Sequence, residues 1–157
     1  MRLQGKTLVV IGGTSGIGLS AAKAFVAEGA QAVIVGRNPE TAASAGTEFS
    51  GRTLVGDASD PQTAAKAIEL ALSACGSFHG LYHVAGGSGR ARGDGCLHEI
   101  TDEGWRYTID QNVTSVFLSN RAAAQQFLKQ GSGGTILNMG SVLGFSPPPK
   151  NFATHAY

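Results

Sequence analysis

Seven residues near the N-terminus, Gly12-Gly13-Thr14-Ser15-Gly16-Ile17-Gly18, combine small side chains with free backbone N–H groups. Glycine at 12 permits a tight turn, and glycine at 16 and 18 lets the backbone approach a ligand closely. Successive N–H groups at the start of a helix bind anions, so the chemistry open to this stretch is to cradle a pyrophosphate. Thr14, Ser15 and Ile17 lie inside the loop and join the candidate binding set. About 20 residues further on, a dinucleotide site reads the adenosine ribose, with Asp or Glu for a free 2′-hydroxyl. Here that position is Gly36-Arg37. No carboxylate stands there to repel a 2′-phosphate, and a guanidinium is present to grip one. These residues favour NADP(H) over NAD(H).

A glycine cluster gains weight only between a strand and a helix. The surrounding elements meet that condition. Lys6–Ile11 is a β-branched apolar run that reads as a strand buried on both faces. Ile17–Ala27 follows as a helix, with Ile17, Ala21, Ala24 and Phe25 on one stripe and Gly29 just past its end. Ala32–Val35 is a second strand. Asn38-Pro39 caps a helix through about Glu48. Thr53–Val55 is a third strand, and Asp60-Pro61 repeats the cap-and-proline device for a helix to Cys75. Leu81–Ala85 is a fourth strand, followed by a Gly/Arg loop over Gly86–Cys96. Thr101 caps a further helix with Asp102 and Glu103 in its first turn, kinked near Asn112 and running to about Gln130. Thr135–Asn138 is a fifth strand, a Pro-rich loop reaches Phe152, and a new element starts at Ala153–Tyr157.

Strands alternating with helix-length segments predict an α/β fold, a doubly wound parallel sheet with right-handed connections. Ligands of such sheets bind beyond the C-terminal ends of the strands. Those ends fall at Gly12, Gly36-Arg37, Asp57, Ala85-Gly86-Gly87 and Gly140-Ser141, where many of the glycines collect.

Gly12-x-x-x-Gly16-Ile17-Gly18, Asp57, Ala85-Gly86, Asn112, Ser141 and Tyr157 stand in the order and approximate spacing of the short-chain dehydrogenase/reductases, which the chain resembles from Lys6 to Tyr157. The resemblance implies a Rossmann-type fold and reversible hydride transfer between a nicotinamide and an alcohol or carbonyl carbon of a small molecule. It implies that Asp57 bonds the adenine amine and Ala58 lines the adenine pocket. Ala85-Gly86 lets the cofactor lie against the strand end. Ser141 holds the substrate oxygen, Tyr157 is the general acid/base, and Asn112 anchors a proton-relay water. A phenol with a pKa of about 10 needs a neighbouring cation to serve as a base at neutral pH. A serine hydroxyl both donates and accepts, so it can orient an alcohol or a ketone. The resemblance further implies a homo-oligomer for the full-length form.

The chain departs from the family pattern in several places. Ile11 stands where a threonine usually opens the glycine motif, and His83-Val84-Ala85-Gly86 replaces Asn-Asn-Ala-Gly. The first asparagine of that motif braces the sheet, and an imidazole is expected to do so only in part. Ser141 and Tyr157 lie a few residues further apart than usual, with Pro147-Pro148-Pro149-Lys150 between them. The lysine of Tyr-x-x-x-Lys falls past Tyr157, outside the sequence. The reading is therefore a single NAD(P)-binding Rossmann domain over 1–157, cut before that lysine, with the C-terminal strands absent. On that reading these residues alone are poorly active. The alternative is a truncated or degenerate NADP(H)-binding module without catalysis.

At 157 residues one domain is expected. With 12 Lys+Arg against 11 Asp+Glu, the chain carries no charge excess to draw nucleic acid or an anionic membrane. No apolar run approaches the ~20 residues that span a bilayer, and the N-terminus has no secretory core. Cys75 and Cys96 are the only cysteines, which fits a reducing, cytoplasmic setting. His79 and His83, placed on one strand, would lie ~13 Å apart, too far for one zinc. Arg90, Arg92 and Asp94 are expected in a solvated loop, and Trp105 and Tyr107 cannot share one helix face.

Overall fold

The computed structural model describes residues 1–146 of the 157. The proline loop beyond Ser146, the expected element at Ala153 and Tyr157 lie outside the described residues. Five strands, β1 (Thr7–Ile11), β2 (Gln31–Gly36), β3 (Thr53–Val55), β4 (Gly80–His83) and β5 (Thr135–Asn138), form one sheet in the order β3-β2-β1-β4-β5. Every neighbouring pair is parallel, with Val9 opposite Val33 and Leu81. The chain order reverses between β1 and β4, and the cleft that reversal opens is where ligands of such sheets bind.

Helices cover both faces because β1 and β2 present apolar side chains on both of them. Val9, Ile11, Val33, Val35 and Leu81 pack with Ala64, Ala67, Ile68 and Ala71 of α3 (Thr63–Cys75) and Ala123 of α5 (Ser115–Gln130). The alternate residues Val10, Ala32, Ile34 and Tyr82 pack with Ala22 of α1 (Gly16–Ala27) and Ala45 of α2 (Pro39–Glu48). This is the two-residue period of a strand read on two sides. Phe78 and Phe127 stack with ring centroids 4.8 Å apart on the α3/α5 side.

The expected caps at Asn38 and Thr101 are present. Asn38 Oδ1 accepts from the N–H groups of Glu40 and Thr41, and Thr101 Oγ1 accepts from Gly104 N at the start of α4 (Asp102–Ile109). Other expectations need correction. Asp60 does not cap α3, since its Oδ1 accepts from Gln62 N in a separate turn and the helix begins at Thr63. Ile17 and Ala24 are not on the buried face of α1, where Gly18 and Ala22 face the sheet instead. β4 stops at His83 because Val84 N and Ala85 N both donate to the Ile11 carbonyl at 2.9 Å, which turns the chain away.

Candidate functional site

β1 ends as β4 does. Gly12 N and Gly13 N both donate to the Val35 carbonyl, at 2.9 and 2.8 Å, so the strand ends step across the sheet and leave a hollow above them. Gly12 has φ +91°, and a Cβ there would come 2.6 Å from Ala85 N. A Cβ at Gly18 would collide with the Gly12 carbonyl oxygen, and one at Gly36 with Thr14 Oγ1. These three glycines let protein pack on protein. Gly16 is different: at φ +50° its absent Cβ would meet no atom within 4 Å. α1 starts at Gly16, and the side chain of Ser15 forms no cap hydrogen bond. The first N–H groups of α1 therefore have no side-chain cap from Ser15.

Above this turn lies a cleft of about 400 Å³. Gly12, Thr14, Ser15, Gly16, Ile17, Gly18, Arg37, Asp57, Ala58, Ala85 and Gly86 all line it, which gathers every expected cofactor-binding residue in one place. Ile17 is 63% exposed, which makes it an apolar rim rather than a core residue. Asn38, Ser59, Gln111 and Ser115 also line the cleft and were not anticipated. Gln111 Oε1 is buried with no hydrogen-bond partner among the described residues, an acceptor left over at the wall. Uncapped donors, a cradle open at Gly16, a cation at the end of β2 and a spare acceptor fit a dinucleotide.

Arg37 Nη1 lies 3.7 Å from Asp57 Oδ2, with both side chains about half exposed. The guanidinium is held above its ordinary pKa, first by the Tyr107 phenol, against the effect of burial, and then by Asp57. Burial alone would raise the Asp57 pKa. The Ser59 N–H and hydroxyl, at 2.8 and 2.7 Å, together with Arg37 outweigh it and leave the carboxyl below its usual value.

Asn112 is outside the cleft lining but braces its floor. Its Oδ1 accepts from Gly87 N at 2.8 Å, while its Nδ2 donates to Gly87 O at 2.8 Å and to Thr108 O at 3.0 Å. The last bond takes a carbonyl that helical backbone would use. The helix widens there into a π turn, Asp110–Thr114, which is the expected kink between α4 and α5. Ser141 sits past the end of β5, where its Oγ accepts from Leu143 N at 3.2 Å, and it does not line the cleft. The structure thus groups the cofactor set and leaves Ser141 apart from it, with Tyr157 outside the described residues.

His83 braces the sheet at both ring nitrogens. Nδ1 lies 2.7 Å from Ser119 Oγ, and Nε2 lies 3.0 Å from Ala85 O and 3.3 Å from Ser115 Oγ. The expectation of a partial brace is corrected, because two serines one turn apart on α5 complete the imidazole's bonding. Burial holds His83 below its usual pKa, opposed by the Ala85 carbonyl. His79 lies outside β4 and its Nδ1 accepts from Thr7 N, so the two histidines serve different ends of the sheet. Asp94 is only 6% exposed and accepts from Thr108 Oγ1, so it docks the loop after β4 on α4, while Arg90 and Arg92 of the same loop are exposed as expected.

Comparison with known proteins decides the family. The short chain dehydrogenase model matches residues 6–155. The chain belongs to the short-chain dehydrogenase family. It is 34% identical over 152 residues to an NADP-dependent (R)-specific alcohol dehydrogenase of Lentilactobacillus kefiri, covering 94% of this chain and 59% of that protein. It is 31% identical over 158 residues to a 3-alpha-(or 20-beta)-hydroxysteroid dehydrogenase of Mycobacterium bovis, covering 99% of this chain and 58% of the relative. Among solved structures, a short-chain type dehydrogenase/reductase from Mycobacterium ulcerans superposes with TM-score 0.87 at 31% identity, over 99% of this chain and 58% of that one. This short-chain dehydrogenase chain thus spans about 60% of the length of the relatives it matches. Among its described residues no helix is long and apolar enough to cross a membrane.

Proposed function

We propose that the full-length protein is an NADP(H)-dependent oxidoreductase acting on an alcohol or carbonyl group of a small molecule. The observation that carries this reading is the open cradle at Gly16, with uncapped N–H groups of α1 under the switch point and Arg37 at the end of β2. The NADP dependence named for the Lentilactobacillus relative supports the same cofactor. Gly12, Gly16 and Gly18 with Thr14, Ser15 and Ile17 would hold the pyrophosphate, and Arg37 the 2′-phosphate. Asp57 and Ala58 would flank the adenine, and Ala85 and Gly86 would floor the cleft.

When bound, the nicotinamide supplies or accepts the hydride. Ser141 orients the substrate oxygen through its hydroxyl. Tyr157 gives that oxygen a proton in reduction and takes it back in oxidation, a task that needs its phenol pKa lowered by a nearby cation. Asn112, fixed by Gly87 and Thr108, anchors the water that relays the proton. The full-length form is a cytoplasmic homo-oligomer with no nucleic-acid or membrane partner.

In the full-length protein, Tyr157→Phe is expected to abolish turnover of a simple secondary alcohol while NADPH still binds. Retained turnover refutes the role of Tyr157. Calorimetric titration of the wild type should show NADPH binding at least about tenfold tighter than NADH, a gap of about 1.4 kcal/mol. Equal affinities refute the NADP preference.

A further inference from the structure

Between β2 and α2 two consecutive residues line the cleft, Arg37 and Asn38. Asn38 caps α2 with only half of its side chain. Its Oδ1 accepts from Glu40 N at 2.7 Å and from Thr41 N at 3.1 Å. Two backbone donors on one atom fix which end of the amide is the oxygen. Nδ2 is the other end. It carries two N–H donors, is turned away from the backbone that Oδ1 caps, and bonds no described residue.

This amide is held still before any ligand arrives. Asn38 O accepts from Ala42 N at 3.0 Å and from Thr41 Oγ1 at 3.1 Å. Thr41 Oγ1 also lies 3.3 Å from Thr14 Oγ1, which ties this corner to the glycine turn, and both threonines line the cleft. Pro39 sets the backbone of the first helical residue. Arg37 is the opposite case, a long side chain about half exposed with Asp57 Oδ2 3.7 Å from its Nη1. Fixing a rotamer-rich side chain costs binding energy, and a donor already fixed avoids that cost. A phosphate monoester presents three acceptor oxygens. A guanidinium fork takes two of them in parallel bonds, which leaves one for a neighbouring N–H.

We propose that Asn38 is a second specificity-determining residue of the cleft, whose side-chain NH₂, aimed by the cap that its Oδ1 makes, donates to the ribose 2′-phosphate beside Arg37. This rests on the NADP(H) reading above. The amide then does two things with its two ends: the oxygen starts α2, and the nitrogen reads the cofactor. A free 2′-hydroxyl can accept the same N–H, but a bond to a neutral acceptor is only about half as strong as one to a charged oxygen. The gain therefore falls mainly on the phosphorylated ribose.

The test uses two probes without nicotinamide, 2′,5′-ADP and 5′-AMP, which differ only in the 2′-phosphate. Their affinities for the full-length protein are measured by calorimetry, with urea midpoints taken without ligand. Asn38→Gly deletes the NH₂ and adds no charge, and glycine is itself a favoured cap residue, so the variant folds. It is expected to weaken 2′,5′-ADP about tenfold, the loss of one hydrogen bond to a charged group, and 5′-AMP by less than about twofold. Asn38→Asp keeps the cap oxygen and replaces the donor with a carboxylate. It is expected to weaken 2′,5′-ADP about a hundredfold, with a urea midpoint at or above that of the wild type. Wild-type selectivity in Asn38→Gly overturns the proposal even where Asn38→Asp loses affinity, because repulsion alone needs no donor. Both probes weakened equally in Asn38→Gly overturns it as well, since that is the mark of a cap that only shapes the cleft. So does full 2′,5′-ADP affinity in Asn38→Asp. A wild type that binds both probes equally defeats the NADP(H) reading itself. A selective wild type with an equally selective Asn38→Gly defeats only the role of Asn38.

Discussion

Alanine at Gly16 and alanine at Gly18 should fail in opposite ways. Gly16 has φ +50° and open space where a Cβ would stand. Left-handed backbone costs an L-residue about 1–2 kcal/mol, so Gly16→Ala loses that much and no packing. Against a domain stability of about 5–15 kcal/mol, the variant folds. In the cleft the same methyl occupies the approach of a phosphate to the first N–H groups of α1. Each hydrogen bond to a charged group is worth about 1.5–3 kcal/mol, so losing one weakens binding roughly 10- to 100-fold. At Gly18 the Cβ would collide with the Gly12 carbonyl oxygen and stand 2.8 Å from Val84 Cγ1. Backbone oxygen cannot swing aside like a side-chain tip, so α1 must lift from the strand ends. Overpacking of that kind costs about 1–3 kcal/mol with no ligand present. Urea unfolding without cofactor and calorimetric titration with NADPH separate the two losses. Gly16→Ala binding NADPH as tightly as wild type would refute the cradle. A larger stability loss from Gly16→Ala than from Gly18→Ala would refute the packing argument.

Two further perturbations follow from the braces beneath the cleft. Folded His83 is held below its usual pKa by burial, so on acidification the unfolded chain takes up the proton first, near pH 6.5. Stability from this group is full above that pH and falls as pH drops toward the folded-state value. His83→Asn should flatten this limb when urea midpoints are compared between pH 7.5 and 5, and an unchanged limb in the variant refutes the assignment. Asn112→Asp keeps the acceptor for Gly87 N but faces a carboxylate to the carbonyls of Gly87 and Thr108. Destabilisation of about 3 kcal/mol is expected from the two lost donors, measured by thermal unfolding, and a change within 0.5 kcal/mol, about the scatter of neutral surface substitutions, would contradict the brace.

The fold was legible where its causes are local. β3 and β5 have the bounds that β-branched and apolar residues indicate at Thr53–Val55 and Thr135–Asn138. Asn38 and Thr101 cap helices because a side-chain oxygen reaches N–H groups two or three residues on, a distance that a sequence displays directly. Asp60-Pro61 carries the same signal and misleads, because Asp60 closes its own turn at Gln62 and postpones the helix. Ile17 misleads for another reason. Helical periodicity assigns it to the core, but the glycine turn aims the start of α1 at the cleft, and the side chain is left on its rim. Periodicity reports which residues are apolar, and a ligand site is one of the places where an apolar residue stays exposed.

The site itself is assembled from strand ends, and only its consecutive part is readable in advance. Gly12 to Gly18 are neighbours in sequence, so their pattern survives without a structure. Arg37 meets Asp57, Gly87 meets Asn112, and His83 meets Ser115 and Ser119, all by way of the parallel sheet and the π turn. The π turn matters most for these pairs. It changes the rotation between α4 and α5, so residues before Asp110 and after Thr114 do not follow one helical wheel, and no single periodicity places both Tyr107 and Ser119. A trace of the His83 environment does stand in the sequence. Ser115 and Ser119 are four apart on α5, one hydroxyl above the other on a buried face. Both hydroxyls also bond carbonyls of their own helix, Gln111 and Val116, and their oxygens keep lone pairs for a polar partner from the facing element. On β4 the residue that supplies it is the histidine standing where the family pattern has asparagine.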